Sequence, residues 1–229
     1  MKKITILTRQ VSISASILIS IRNFLRFLKY FITGGITDFD ILFFSGHTAV
    51  TKSLINGLRQ DNILFNYNPY FPKDVGDIVF VLSDVKALKQ AIDLKKSGKI
   101  KTLIAGPNVV ELPTNDHMLS SSKIDLVLVP SKITVDIYEK LSPALTGKVV
   151  SWYAGVDVSY WKPTNLPKEK EVLVYWKNAP KAFCLEVELI LKRKGYKINR
   201  IIYGHYNRKH FKKLLQKSMF AVFLSLIHI

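Results

Sequence analysis

Asp77-Ile78-Val79-Phe80-Val81-Leu82 sets a pattern that the chain repeats at Lys101-Thr102-Leu103-Ile104-Ala105 and at Asp125-Leu126-Val127-Leu128-Val129. Between the first two runs lies Asp84–Ser97, in which apolar residues recur at helical spacing. Ser131–Leu141 has the same spacing after the third run and leads to a fourth apolar run, Val149–Trp152. A strand with no polar alternation is buried on both faces, and a helix between successive strands returns the chain for parallel pairing. The stretch therefore predicts a doubly wound α/β domain.

Outward from this stretch the same grammar continues. Ile4–Thr8 reads as a first buried strand ending in polar residues. Ser16–Phe31 reads as an amphipathic helix, with Ile17, Ile21, Phe24, Leu25, Leu28 and Phe31 on one stripe and Arg22, Arg26 and Lys29 between them. Gly34-Gly35 ends that helix, Asp40–Ser45 is a buried strand, and Gly46-His47-Thr48 turns into a second helix ending near Arg59. Ile63–Asn66 is a further strand, followed by a proline-containing loop through Pro72. Towards the C-terminus, Gly155–Lys170 carries Pro163 and Pro167 with little periodicity and reads as a linker. The alternation then restarts, with strands at Glu171–Trp176, Lys197–Tyr203 and Phe220–Leu224 and helices at Phe183–Lys194 and Arg208–Ser218. The expected organisation is a Rossmann-like domain over 1–154, a linker over 155–170 and a second, incomplete doubly wound domain over 171–229. Because the last strand has nothing after it to cover it, the natural protein is expected to continue, with Leu226–Ile229 foreign to it.

Lys and Arg outnumber Asp and Glu by 34 to 17, and the net charge of +17 favours anionic partners such as phosphorylated small molecules or a membrane surface. The basic residues are interspersed rather than gathered with aromatic residues, which disfavours nucleic acid as the partner. With 48% hydrophobic residues the chain can bury a core, so disorder is excluded despite the charge. The single cysteine, Cys184, rules out an intramolecular disulfide and reads as a small core residue. The apolar run Val11–Ile21 holds four serines and is too short to span a bilayer, so a cytoplasmic protein without export signal is expected. No metal-ligand spacing, phosphate loop, dinucleotide fingerprint or nucleophile elbow occurs, so neither a metal nor a bound cofactor is expected.

In an open parallel sheet, ligands bind where the strands end at their carboxyl side. Gly46 and His47 follow the strand Asp40–Ser45, Gly46 reading as a turn residue and His47 as a cap or a general base. Ser83 and Asp84 follow the Asp77 strand, where Asp84 suits a helix N-cap better than an acid or base. Gly106-Pro107-Asn108 is expected to form a tight loop after the Lys101 strand and to offer an uncharged donor and acceptor in Asn108. In the second domain, Lys177 and Asn178 follow the first strand, where a lysine can meet a diphosphate. Tyr203 and Gly204 follow the next strand and could hold a base or a sugar.

Trp152-Tyr153-Ala154-Gly155-Val156-Asp157-Val158-Ser159-Tyr160-Trp161-Lys162-Pro163 resembles the interdomain segment of family-4-type glycosyltransferases of the two-domain GT-B fold, in which Gly-Val-Asp precedes an aromatic residue and a proline. Val127-Leu128-Val129-Pro130-Ser131 is similar to that family's last N-domain strand and helix start. The resemblance implies metal-independent transfer of a sugar from a nucleotide-sugar donor to a glycan or lipid-linked acceptor. It implies an acceptor on the first domain and the donor on the second; the strand-end residues then become acceptor-side Gly46, Ser83, Asp84, Gly106 and Pro107, catalytic candidates His47 and Asn108, and donor-side Lys177, Asn178, Tyr203 and Gly204. Two departures stand against it. The loop at Gly106-Pro107-Asn108 has no histidine where many members carry one, and the family's paired donor-site glutamates would lie beyond residue 229, so this chain alone is expected to be inactive. The competing reading is a non-catalytic α/β module that binds an anionic ligand. A further expectation is peripheral contact of the helix near Ile17–Phe31 with an anionic membrane, against the plainer reading of a core-packed helix.

Overall fold

The computed structural model describes residues 3–32, 46–114, 117–164, 167–203, 206 and 208–225. The chain divides into two units, one of residues 1–22 and 46–156 and the other of 23–45 and 157–229.

In the first unit six parallel strands form one sheet: β1 (Ile4–Leu7), β2 (Phe65–Tyr67), β3 (Ile78–Ser83), β4 (Thr102–Asn108), β5 (Leu126–Val129) and β6 (Val149–Ser151), in the order β2-β1-β3-β4-β5-β6. The helices are the first part of α1 (Ile13–Ile32), whose residues from 23 on belong to the second unit, α2 (Gly46–Gln60), α3 (Val85–Lys96) and α4 (Lys132–Leu141). The unit is thus an α/β parallel sheet flanked by helices, as the alternation predicts. Val79, Val81, Leu103, Ala105, Val127 and Val129 alternate along their strands onto one face, and there they meet Ala87, Leu88, Ala91 and Ile92 of α3. Strand β1 pairs with β2 on one side and β3 on the other, so the chain passes β1 on its way from β2 to β3 and then adds each later strand beside the last.

Two glycines permit close backbone approach. A Cβ on Gly76 would lie 2.0 Å from the Lys3 carbonyl oxygen, and one on Gly106, whose φ is +102°, would lie 2.0 Å from that of Leu128. The tight loop expected at Gly106-Pro107-Asn108 is instead the end of β4. The register shifts between Val81 and Ser83, so Asn108 still pairs with Ser83, and a bulge absorbs the proline that cannot donate to the ladder.

The strand expected at Ile63–Asn66 begins only at Phe65. The Ile63 amide donates to Leu58 O at 2.8 Å and Asn62 adopts φ +56°, so these residues close the end of α2. The Asp40–Ser45 strand and Gly34-Gly35 lie outside the described residues. Helix α1 starts three residues before the expected Ser16, and the core-packed reading of its stripe fails: Ile17, Ile21, Phe24 and Leu25 are exposed, whereas Ser16 is buried with its hydroxyl on Ser12 O. Among the described residues no helix is long and apolar enough to cross a membrane.

The second unit contains β7 (Glu169–Lys177), β8 (Lys197–Ile202) and β9 (Ser218–Ser225) in a parallel sheet of order β8-β7-β9, with α5 (Lys181–Arg193) and α6 (Arg208–Lys217). Alternation along the central strand assigns one helix to each face. Val172 and Val174 pack with Cys184, Val187 and Leu191 of α5, whereas Leu173 and Tyr175 pack with Phe211, Leu214 and Leu215 of α6. Cys184 is fully buried, and burial raises its thiol pKa, consistent with a core role. Strand β7 starts two residues before the expected Glu171, and β9 two before Phe220, because Glu169 pairs with Ser218.

Candidate functional site

Each sheet has one edge at which its strands end, and Ser83, Asp84, Gly106, Pro107, Asn108, Lys177, Asn178 and Tyr203 fall on those edges. In the first unit Ser83 and Asn108 are register partners at the ends of β3 and β4. Asp84 leaves β3 with φ +78° and caps α3, its carboxylate accepting from the Lys86 and Ala87 amides at 2.8 and 3.4 Å. Ser131 caps α4 in the same way, accepting from the Thr134 amide at 3.2 Å. Gly46 and His47 occupy the first turn of α2 and are exposed. The His47 carbonyl accepts from the Thr51 hydroxyl, and its ring makes no hydrogen bond to Asn108 among the described residues. The two catalytic candidates are therefore not joined by any contact seen here.

Sequence reasoning passed over the residues after β1, although they too follow a strand. Thr8 is held on both sides of its Cα: its amide donates to Asn68 Oδ1 at 2.8 Å, and its hydroxyl accepts from Asn68 Nδ2 at 2.8 Å. Gln90 of α3 completes the clamp, accepting from the Val11 amide at 2.7 Å and donating to its carbonyl at 3.1 Å. Arg9 lies between the clamped residues, with its guanidinium 6.0 Å from the Tyr70 ring. Arg9 Nε and Asn108 Nδ2 are buried donors that reach no acceptor among the described residues.

In the second unit the chain leaves β7 for β8 on one side and returns to its other side as β9, so the topological reversal falls between β7 and β9. Lys177 ends β7 opposite Ser225, and Asn178 follows with φ +59°. The Lys177 ammonium stands 5.2 Å from the Tyr203 ring, and the Tyr203 amide donates to Trp176 O at 2.9 Å. Lys177, Asn178 and Tyr203 are thus brought together, while Gly204 lies outside the described residues. Beneath this edge, Arg200 stacks 4.1 Å from the Trp176 ring and forks onto the buried Glu188 carboxylate. The Tyr175 phenol is kept protonated, its pKa raised by burial first and then by the Tyr206 hydroxyl.

The segment that carries the family resemblance is locally ordered. Asp157 Oδ1 accepts from the Tyr160 amide at 3.0 Å and the Ser159 hydroxyl at 2.6 Å, forming a turn that aims Trp161 edge-on at Phe211. A cavity of about 250 Å³ lined by Trp161, Thr164, Lys168 and Lys212 lies near this turn. Lys168 precedes β7, so the cavity is at the amino end of that strand, and its ammonium already donates to Gln216 O at the end of α6. No group of side chains among the described residues could hold a metal ion.

No family model matches the chain, and no curated protein sequence aligns with it significantly.

Proposed function

We propose that this chain is part of a GT-B glycosyltransferase, in which the first unit faces the acceptor and the second binds a nucleotide-sugar donor. The observation that carries this reading is the cluster Lys177, Asn178 and Tyr203 at the carboxyl edge of the second sheet, with Lys177 and Asn178 beside the strand reversal. An ammonium at that point can meet the diphosphate, and the Tyr203 ring offers a flat face to a base or sugar. The Trp152–Pro163 segment and its resemblance to family-4-type enzymes give the reading its direction. In the reaction, the bond from the sugar's anomeric carbon to the diphosphate oxygen breaks and an acceptor hydroxyl oxygen bonds that carbon, losing its proton. Lys177 stabilises the negative charge that collects on the leaving diphosphate, without a metal. Gly106 and Pro107 shape the acceptor edge beside Ser83 and Asn108.

Calorimetric titration of the full chain with nucleoside diphosphates and nucleotide sugars tests this. Micromolar to millimolar binding to one nucleoside diphosphate, weakened about tenfold by Lys177→Gln, is expected. Equal, salt-sensitive binding of every polyanion, unaffected by that substitution, would leave the alternative, an anion-binding module without transferase chemistry.

A lipid-linked acceptor would bring the protein to a membrane surface. The exposed apolar side chains Ile13, Ile17, Leu18, Ile21, Phe24 and Leu25 of α1 support peripheral contact with anionic lipid, assisted by the exposed Arg22. Co-sedimentation with phosphatidylglycerol vesicles that is unchanged in an Ile17→Ser, Phe24→Ser variant rules this contact out.

A further inference from the structure

The carboxyl edge of the six-stranded sheet carries a pair of buried donors whose placement defines a ligand. Leu7 pairs with Val81, and Ser83 pairs with Asn108. Arg9 lies two residues beyond the end of β1 and Asn108 ends β4, the strands on either side of β3.

Three features select Arg9 as the anion-receiving group. The Thr8 and Val11 backbones on either side of it are fixed by Asn68 and Gln90, so the turn is held in place before any ligand arrives. The N-termini of α3 and α4, the usual phosphate seats beside such an edge, are already occupied by the Asp84 and Ser131 side chains. Arg9 itself has a buried Nε without an acceptor and forms no ion pair among the described residues, with only the Tyr70 ring, 6.0 Å away, facing its guanidinium. A buried donor left unmatched is costly, and a ligand oxyanion is what matches a guanidinium. Asn108 Nδ2, buried and equally unmatched, suits a neutral hydroxyl or carbonyl oxygen.

We infer that this edge binds a small ligand with an oxyanion, phosphate or carboxylate, at Arg9 and a neutral oxygen at Asn108, the chemistry of an acidic or phosphorylated monosaccharide. Calling that ligand the acceptor rests on the transferase reading; the binding site does not.

The test uses the full chain with ¹⁵N-labelled arginine. Inorganic phosphate, acetate and glucose 6-phosphate are titrated at constant ionic strength while the Arg9 Nε–Hε signal, identified by its loss in Arg9→Lys, is followed. A saturable shift of that signal is expected with phosphate or acetate, the stronger of the two naming the oxyanion. Affinity should fall about tenfold or more in Arg9→Gln and remain unchanged in Lys99→Gln, which removes the same charge at the opposite end of the sheet. Asn108→Ala should weaken glucose 6-phosphate more than phosphate. An Arg9 signal that does not move, or equal losses in Arg9→Gln and Lys99→Gln, overturns the proposal, since the net charge alone then accounts for binding. The shift in the unsubstituted chain needs no variant to fold. A nucleoside diphosphate that fails to bind at Lys177 would count against the transferase reading and leave this result standing.

Discussion

The two sheets solve the same problem with different materials. Among the described residues the six-stranded sheet has four strands flanked on both sides, and its core cluster is aliphatic, from Leu7 and Val79 to Val127 and Val149. The three-stranded sheet has, among the described residues, only β7 inside, and there carboxylates enter the interior: Glu171 is 5% exposed and Glu188 3%. Each is answered, Glu171 by Lys197 and Asn199, Glu188 by the Arg200 fork. Its other face is a ring cluster in which Tyr175 touches Tyr206, Phe211 and Phe223. A sheet with enough buried strands can rely on apolar area, while a small one leans on paired charge and large rings. The buried carboxylates of the second unit are answered from within it, yet each unit also keeps buried polar atoms that reach no partner among the described residues, Arg9 Nε and Asn108 Nδ2 in the first and Trp176 Nε1 and Ser218 Oγ in the second.

The comparison breaks first at Gly106. Adding a methyl at φ +102°, 2.0 Å from Leu128 O, should destabilise the first unit by about 3 kcal/mol or more. Gly98→Ala, also at positive φ but with nothing within 4 Å, should cost only about 1 kcal/mol. Urea unfolding followed by hydrogen exchange resolves the two units, and the second should be untouched by either change.

Next comes the paired charge. Arg200→Ala bares the buried Glu188 carboxylate and should cost the second unit about 2 kcal/mol, a figure reduced because Arg200 is partly exposed. A Glu188→Met, Arg200→Leu double variant should recover most of the loss. If it does not, the pair is more than a satisfied charge.

Acid sharpens the contrast further. Hydrogen bonds from Lys197, then Asn199, hold the Glu171 carboxyl near 2, below its ordinary 4.5. A depressed carboxyl pKa gives stability that is complete above about 4.5 and lost as the pH falls towards 2. The second unit should therefore weaken over that window, and Glu171→Gln should flatten its urea midpoint there. The smallest effect is local to the first unit: Asp84→Ala should cost about 1 kcal/mol through the lost cap of α3.

How far these features could be read in advance follows from their range along the chain. Strands such as Val79–Leu82 and caps such as Asp84 and Ser131 are local, and the apolar runs and capping residues announce them. The end of β4 was misread because Gly106-Pro107 signals a turn locally, while pairing of Asn108 with Ser83 is decided by a neighbour 25 residues away in the sequence. Ile63 was misread for the opposite reason, its apolar character hiding a helix-ending amide bond to Leu58. Of the candidate site, the placement of Lys177, Asn178 and Tyr203 at one sheet edge is legible because they end or follow strands directly. Arg9 follows one too, but its meaning depends on Asn68 and Gln90, which only the folded chain brings to it.

The most direct test of the account is photolabelling of the full chain with an azido-substituted uridine diphosphate sugar, with the modified peptide mapped by mass spectrometry. The account predicts label on the stretches that contain Lys177 and Tyr203, suppressed by excess unlabelled nucleotide sugar and reduced in Lys177→Gln. Label scattered over surface lysines, or confined to the first unit and indifferent to Lys177→Gln, would contradict it.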